Sequence, residues 1–433
     1  MASKFNKYLS KTIEYLTYLF AFIVPWQTKL ILRSSESVYS EINFYFSHAL
    51  MLIIFSLFVW LRFREGAWRR VNRLFFFPLG ALGLLIAGSI LVAPDKILAS
   101  YYYFIFLAAL SLFFVVRVGT EQHNYEEYVI NRFTLAYSFL AGMLAQALLG
   151  IYQFLTQSSF ACKYLGLAAH DPIVSGTAVI ETMDGRWLRA YGGLDHPNVL
   201  GGALAISLIL AAYLLIKKKV INSQAQAWTS GFLFIFYFIA LYALLFSFSR
   251  AAWLAFVLGL VVLLIRIIRS RDKWAVGRLV ALIIFSVILV FLTSLPFKDL
   301  ILTRVEVNTR LEQQSVEERQ SQLVEAGELI KSKFITGVGV GNYQEALAKQ
   351  DDYKKPLWAY QPVHNVFLLL WAQSGLLSLV AFAIFVVFLL KYGRRDKYSL
   401  AIALALFILA MLDHWLLSLP FGVLFLFLIL ALI

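Results

Sequence analysis

The chain has 433 residues, of which 61% are hydrophobic and only 15% are charged, and its formal net charge is +13. Soluble domains carry about 25% charged residues, so this composition excludes a soluble globular protein. Apolar runs of about 18 residues or more, long enough to cross a membrane as helices, recur along the whole chain. The chain lacks the short alternating segments that a membrane β-barrel requires. The sequence therefore predicts an all-α polytopic membrane protein.

Apolar runs bounded by charges, proline or glycine predict about twelve membrane-spanning helices. We place these spans at 13–32, 43–61, 74–93, 97–116, 134–156, 197–216, 231–248, 251–268, 277–295, 364–390, 399–416 and 418–433. Lysines precede the first run, as in a signal peptide, but the run is too long and has no small-residue cleavage site. We therefore expect the first span to remain uncleaved.

Two segments between spans are too long to be simple turns, and long ordered loops tend to carry function. The first, 157–196, separates the fifth and sixth spans, and the second, 297–363, separates the ninth and tenth. We therefore divide the chain into residues 1–296 with nine spans, a large helical loop or lid over 297–363, and residues 364–433 with three spans.

The positions of lysine and arginine predict the orientation, because positively charged loops stay in the cytoplasm. With both termini inside, more than half of the 38 basic residues fall in cytoplasmic segments, and the opposite short loops hold few. Because the basic residues are scattered over loops rather than gathered on one surface, we expect membrane lipids and no nucleic acid as partners. The cytoplasmic set comprises Lys4, Lys7, Lys11, Arg62, Arg64, Arg69, Arg70, Arg73, Arg117, Arg132, Lys217, Lys218, Lys219, Arg266, Arg269, Arg271, Lys273, Arg278, Lys391, Arg394, Arg395 and Lys397.

The end of the first long loop runs directly into the sixth span and carries Arg186, Arg189, His196 and Asn198. An arginine at this level can bind two phosphate oxygens at once, and a Pro-Asn step at a helix start presents free backbone N–H groups to an anion. The alternative interpretation is that the arginines anchor the chain at the membrane interface and that the Pro-Asn step only caps a helix.

Two further residues on the predicted outer face indicate chemistry. Arg250 lies in the turn between the seventh and eighth spans, where a charge is costly and marks a partner or ligand; the alternative is a side chain that extends to lipid headgroups. His364 begins the tenth span, and an imidazole, with a pKa near neutrality, can accept a hydroxyl proton. The alternative for His364 is a structural hydrogen bond.

The second long loop is predicted to contain an amphipathic helix. Ser315 and Glu318 form a capping box, and Val316, Leu323 and Ile330 recur every seven residues as an apolar stripe. We expect this helix to lie on the membrane domain as a lid. Three glycines then break the helix, and we assign them to turns and close packing rather than to a phosphate cradle: Gly337, Gly339 and Gly341.

Four motifs in this order resemble the bacterial O-antigen ligase and polymerase superfamily, over about residues 189–378. The element His364-Asn-x9-Gly375 is the most specific and favours the ligases. Two positions depart from the pattern: Ser378 stands where ligases prefer Gly, Thr or Tyr, and His196 stands where relatives often have Asn. The other motifs are Arg189-x-x-Gly-Gly-x-x-His196-Pro-Asn198, Ser249-Arg250 and Arg319 followed by Gly337-Val-Gly339-Val-Gly341-Asn-Tyr.

The resemblance implies a GT-C-like membrane glycosyltransferase of lipopolysaccharide biosynthesis in the bacterial inner membrane. It would transfer a glycan, on the periplasmic face, from undecaprenyl diphosphate to a sugar hydroxyl of the lipid A core, with inversion. His364 would be the catalytic base, with no metal and no cofactor. The residues expected to bind the substrates are Arg189, Arg250, Arg186, His196, Asn198 and Arg319.

Three other functions remain open alongside ligation. A polymerase that elongates a lipid-linked glycan would use the same donor and a very similar site. A protein O-glycosyltransferase usually resembles a longer chain. A transporter of lipid-linked sugars needs charges deep within its spans, and these spans are almost free of them. Asp413 and His414, on the last outer turn, are interpreted as interfacial polar residues.

Overall fold

The computed structural model describes residues 4–65, 76–120, 129–183, 185–217, 224–306, 309–392 and 398–433. Its helices are α1 (Lys4–Ile23), α2 (Phe46–Glu65), α3 (Phe76–Ser89), α4 (Lys96–Gly119), α5 (Arg132–Thr156), α6 (Pro197–Lys217), α7 (Gln224–Phe246), α8 (Arg250–Arg269), α9 (Lys273–Ser294), α10 (Lys298–Glu306), α11 (Arg310–Ser332), α12 (Tyr343–Gln350), α13 (Val366–Tyr392), α14 (Ser399–Leu412), α15 (Trp415–Ser418) and α16 (Pro420–Leu432). Two antiparallel hairpins pair β1 (Lys29–Arg33) with β2 (Ile42–Tyr45) and β3 (Val179–Thr182) with β4 (Gly185–Leu188).

Long apolar helices dominate the fold. Within the described ranges, eight helices are long and apolar enough to cross a membrane: α2, α4, α5, α6, α7, α8, α9 and α13. Shorter apolar helices occur at Phe76–Val92, α14 and α16. The predicted class, a helical polytopic membrane protein, is confirmed, whereas the number twelve and the orientation of the loops stay predictions. Several of the predicted cytoplasmic cations lie outside the described residues: Arg69, Arg70, Arg73, Lys218, Lys219, Arg394, Arg395 and Lys397.

The first predicted span, 13–32, is wrong at its end. Helix α1 ends at Ile23, and the chain then turns at Pro25 into strand β1. Proline has no backbone N–H and its ring clashes with the preceding helical turn, so a helix does not continue through it. The apolar residues that extended the predicted span belong to a hairpin instead.

The helix predicted in the second long loop exists, but its start and its buried face differ from the prediction. Helix α11 begins at Arg310 after Thr309, so Ser315 lies inside the helix and the capping box is wrong. Val316 and Leu323 are exposed, which contradicts the apolar stripe. The buried face instead carries Glu312, Gln322, Ala326, Leu329 and Ile330. The two polar members of this face have polar partners on the membrane bundle, described below.

Helix α6 forms the centre of the bundle. It is buried along almost its whole length and packs against α5, α7, α8, α9 and α14. Near its start, Gly201 allows the α7–α8 turn to approach closely, because a Cβ there would lie 2.6 Å from Ser247 Oγ. This packing brings the start of α6 and the start of α8 to the same end of the molecule.

Helix α13 is broken at Gly375, and the second long loop fills the break. Gly375 has φ 80° and ψ 170°, and a Cβ at this position would lie 1.8 Å from the Ile335 carbonyl oxygen. The loop and the broken helix exchange backbone hydrogen bonds: Val338 N–H donates to Ala372 O (2.8 Å) and Leu376 N–H donates to Phe334 O (3.1 Å). Close packing of the glycine loop is therefore confirmed. The loop is held on the bundle by these bonds.

Candidate active site

Five of the predicted residues lie at one end of the bundle, where α6, α8 and α13 begin and α14 ends: Arg189, His196, Asn198, Arg250 and His364. His364 immediately precedes α13, and its Nδ1 lies 2.7 Å from Oε1 of Gln322 on α11. Its ring packs edge to face against His414, with ring centroids 4.8 Å apart. One ring nitrogen of each histidine and one carboxylate oxygen of Asp413 all lie within 4.8 Å of one another.

Asp413 and His414 follow the end of α14, are buried, and have polar partners that the sequence did not reveal. Nothing in the sequence connects them to His364, which comes before α13. The signal that was available was a carboxylate next to an imidazole at the end of an apolar run. Such a pair is unusual where charges are costly.

A chain of side-chain hydrogen bonds connects Asp413 to the predicted arginine. Arg189 Nη2 donates to Asn198 Oδ1 (2.8 Å), and Asn198 Nδ2 donates to Asp413 Oδ2 (3.0 Å). The backbone N–H of Asn198 donates to His196 Nδ1 (3.1 Å), and that of His414 donates to Asp413 Oδ1 (2.8 Å). One network therefore contains Arg189 and Asn198, which the sequence predicted for the site, and Asp413, which it did not.

Burial controls the protonation of the histidines. It lowers the pKa of His364 below the ordinary value, an effect that Asp413 opposes, and it lowers the pKa of His196 and His414 to about 3 each. Burial raises the pKa of Asp413, but the neighbouring histidines and the His414 backbone N–H outweigh this effect, and the net shift is downward. At neutral pH, His364 is therefore an uncharged base beside a carboxylate.

Three guanidinium groups gather around the turn between α7 and α8. Arg189 Nε donates to Ser247 O (2.8 Å), Arg304 Nε donates to Phe248 O (3.1 Å), and Arg250 Nη1 donates to Arg304 O (3.2 Å). Phe248 is fully buried and has φ 47°, a left-handed conformation that costs roughly 1–2 kcal/mol for a residue with a side chain. Such strain concentrates at functional sites.

Glu312 of α11 neutralises part of this positive charge. Its buried carboxylate pairs with Arg304 Nη1, and its other oxygen lies 3.3 Å from Arg250 Nη2. Neither Arg304 nor Glu312 was predicted from the sequence. They lie among other charged residues in helices of low hydropathy, where most such side chains are solvated.

The two remaining predicted residues, Arg186 and Arg319, are not hydrogen-bonded to this network in the described part of the chain. Arg186, on β4, donates from Nη1 to the Ile173 carbonyl oxygen (2.9 Å), a bond that directs it to the preceding loop and away from the network. Arg319 projects from α11 and acts electrostatically on His364 and His414. Its Nε is buried and has no hydrogen-bond partner among the described residues.

An apolar groove leads away from the arginines between α7, α8 and α9. Its volume is about 680 Å³, and its lining is almost entirely aliphatic and aromatic. Trp253, one turn after Arg250, and Ile301, one turn before Arg304, both line it. The groove therefore has an end near the cationic group and walls suited to a hydrocarbon chain.

The types of residue in the histidine cluster are also those that bind divalent cations. Several of their polar atoms already have protein partners: His364 Nδ1 contacts Gln322, His414 Nδ1 contacts Ser418 Oγ at 2.7 Å, and Asp413 accepts two hydrogen bonds. The arrangement holds the rings in fixed orientations, with each Nε2 left outside these bonds. Such an arrangement is suited to proton transfer.

Comparison with known proteins shows a similarity over part of the chain. A family model described as O-antigen ligase matches residues 235–383, a stretch that contains Arg250, Arg304, Glu312, Gln322 and His364. Comparison with curated proteins gives no match. The match covers the turn between α7 and α8, the second long loop and the start of α13, which carry three of the four motifs identified in the sequence. Over this stretch the chain is similar to O-antigen ligases, and the long apolar helices of its described residues are those of a multi-pass membrane protein.

Proposed function

We propose that this protein is an O-antigen ligase that transfers a glycan from undecaprenyl diphosphate to a sugar hydroxyl of the lipid A core, on the periplasmic face of the inner membrane. The family supports glycosyl transfer of the ligase or polymerase type. One observation carries the finer proposal: an uncharged histidine lies beside Asp413, which the Asn198 amide connects to a group of arginines at the end of an apolar groove.

The donor is a diphosphate attached to a long hydrocarbon chain, and the site offers a place for each part. The chain would lie in the groove between α7, α8 and α9, and the diphosphate would lie against Arg250 and Arg189. Negative charge develops on the diphosphate as its bond to the sugar breaks. Arginines fixed in a site shielded from water stabilise such charge strongly, because they require no reorganisation during the reaction.

The acceptor hydroxyl would lose its proton to His364. With Nδ1 donating to Gln322 Oε1, the lone pair of His364 is on Nε2. The hydroxyl oxygen attacks the anomeric carbon, its proton passes to Nε2, and the diphosphate leaves with the electron pair of the broken C–O bond. Asp413 stabilises the resulting imidazolium. One in-line displacement inverts the anomeric configuration, and no metal takes part.

The test is a reconstituted reaction. Purified protein in liposomes receives undecaprenyl-diphosphate-linked glycan, with lipid A core in one tube and only further donor in the other. Glycosylated lipid A core supports the ligase, whereas elongated donor without core acceptor identifies a polymerase. Transfer should disappear in His364→Ala and persist in His170→Ala, a half-buried loop histidine that stacks on Tyr191 outside the hydrogen-bond chain. Equal activity of the two variants would contradict the role of His364.

A further inference from the structure

The charges around the α7–α8 turn are unbalanced. Arg189, Arg250 and Arg304 lie around one turn, and Glu312 is the one carboxylate that pairs with two of them in the described part of the chain. Its side chain is 5% exposed. Partly buried cations without enough counter-charge are costly, and a second anion would relieve that cost. The group is thus suited to a ligand with more than one negative charge.

The two arginines bound to Glu312 hold it differently. Arg304 is 10% exposed at its side chain and makes a hydrogen-bonded ion pair with Oε1. Arg250 is 32% exposed, and its 3.3 Å approach to Oε2 lacks hydrogen-bond geometry, since Oε2 has no hydrogen-bond partner among the described residues. Arg250 is therefore the arginine that can exchange Glu312 for another anion, while Arg304 keeps the carboxylate in place.

We propose that Arg304 and Glu312 complete the diphosphate site, and that Glu312 is a built-in competitor that occupies Arg250 until a phosphate oxygen replaces it. The inference deepens the proposed function, on which it rests, by naming two residues that control donor binding. Arg304 positions Glu312, and Glu312 returns to Arg250 as the diphosphate product leaves. The carboxylate thus weakens retention of a product whose terminal phosphate carries more charge than the donor's.

The test measures binding of inorganic pyrophosphate to the purified full-length protein in detergent by titration calorimetry. Glu312→Gln should bind pyrophosphate about tenfold more tightly than the unaltered protein. Glu317→Gln removes the same charge from an exposed position of α11 and should change the affinity less than twofold. Because Arg304 loses its partner in Glu312→Gln, Glu312→Asp provides a second variant, whose shorter side chain withdraws from Arg250 but keeps the charge, and it should also bind more tightly.

A double-mutant cycle separates competition at Arg250 from a general effect of charge. If Glu312 competes for Arg250, the gain from Glu312→Gln should disappear in an Arg250→Gln background. An equal gain in both backgrounds, or unchanged or weaker binding in folded Glu312→Gln and Glu312→Asp, would overturn the inference. The measurement requires no glycan transfer, so a failed transfer assay would remove the proposed function and leave this result unaffected.

Discussion

His364 Nδ1 lies 2.7 Å from Gln322 Oε1, so a helix of the second long loop orients the proposed base at the start of α13. We predict that Gln322→Leu lowers kcat by roughly 10–100-fold, the range for a partner that fixes a functional imidazole. Gln322→Glu keeps the acceptor and adds a negative charge, which favours the imidazolium. It should move the acidic limb of the pH–rate profile to higher pH, and a residue that only supports the fold would leave that limb in place.

Asp413→Asn tests the carboxylate beside His364, the proposed base. The charges that act on His364 come from Asp413, Arg319 and Glu318, and Asp413 raises its pKa. Removing the carboxylate should lower the pKa of His364 further and shift the acidic limb to lower pH. The maximal rate should fall by about 100-fold, because the imidazolium formed in the reaction loses its stabilising charge. An acidic limb that does not move would separate Asp413 from the base.

Arg189→Gln and Arg250→Gln test the cationic group. Each should lower kcat/KM for the donor. The loss of transition-state stabilisation should be roughly 2–3 kcal/mol, the scale for loss of a charge-assisted contact in a site shielded from water. Arg186→Gln is the matched control, because Arg186 donates to the Ile173 carbonyl oxygen in the preceding loop. Normal donor dependence in the first two variants would contradict the diphosphate clamp, and an equal loss in the third would restore Arg186 to the site.

Excess chelator tests the expectation that the reaction needs no metal. His364, Asp413 and His414 have the donor atoms of a cation site within 4.8 Å of one another. Because the proposed chemistry assigns them to proton transfer, activity should stay unchanged after dialysis against EDTA. Inactivation that a divalent cation reverses would reassign the cluster to metal binding.

Low pH should destabilise the fold through the buried histidines. Burial lowers the pKa of His364, His196 and His414, so the unfolded chain, whose histidines titrate near 6.5, takes up protons first as the pH falls. The contribution of their neutral forms is complete above about pH 6.5 and declines below it. Thermal unfolding at about pH 7.5 and about pH 5 should show this loss, and it should shrink in a His196→Asn variant.

Gly375→Ala should destabilise the protein severely. The new Cβ would lie 1.8 Å from the Ile335 carbonyl oxygen, and Gly375 has a positive φ that a side chain disfavours. Gly277→Ala on α9 is the control, because a methyl group there would have no described atom outside its own helix turn within 4 Å. The melting temperature of the purified variants decides the comparison: we expect a large fall for the first and no fall for the second.

Local patterns predicted most of the helices, because the length and composition of an apolar run are read within one segment. The error at Pro25 arose where hydrophobic strand residues followed a helix. The same reasoning selected Arg189, Asn198, Arg250 and His364 as candidates, since each is a polar residue next to a predicted span. It did not find the contacts between them, because these depend on the packing of distant segments.

The residues that the sequence did not reveal share one property, which is that their partners lie far away along the chain. Asn198 and Asp413 are hydrogen-bonded although 215 residues separate them. Glu312 and Gln322 looked like ordinary polar positions of an amphipathic helix, and two residues of the predicted heptad stripe, Val316 and Leu323, are exposed. The structure buries Glu312 and Gln322 because each binds a polar partner on the membrane bundle, and one sequence contains no record of that pairing.

The break in α13 has a consequence for how the protein is made. Gly375 is the tenth residue of a 27-residue apolar helix, and the backbone groups freed there bond to the loop around Phe334 and Val338. Unsatisfied backbone groups in lipid cost several kcal/mol each, so the helix is poorly stable across a membrane until that loop is docked. The loop precedes the helix in the chain and is synthesised first. The order of synthesis therefore supplies the partner before the helix that depends on it enters the membrane.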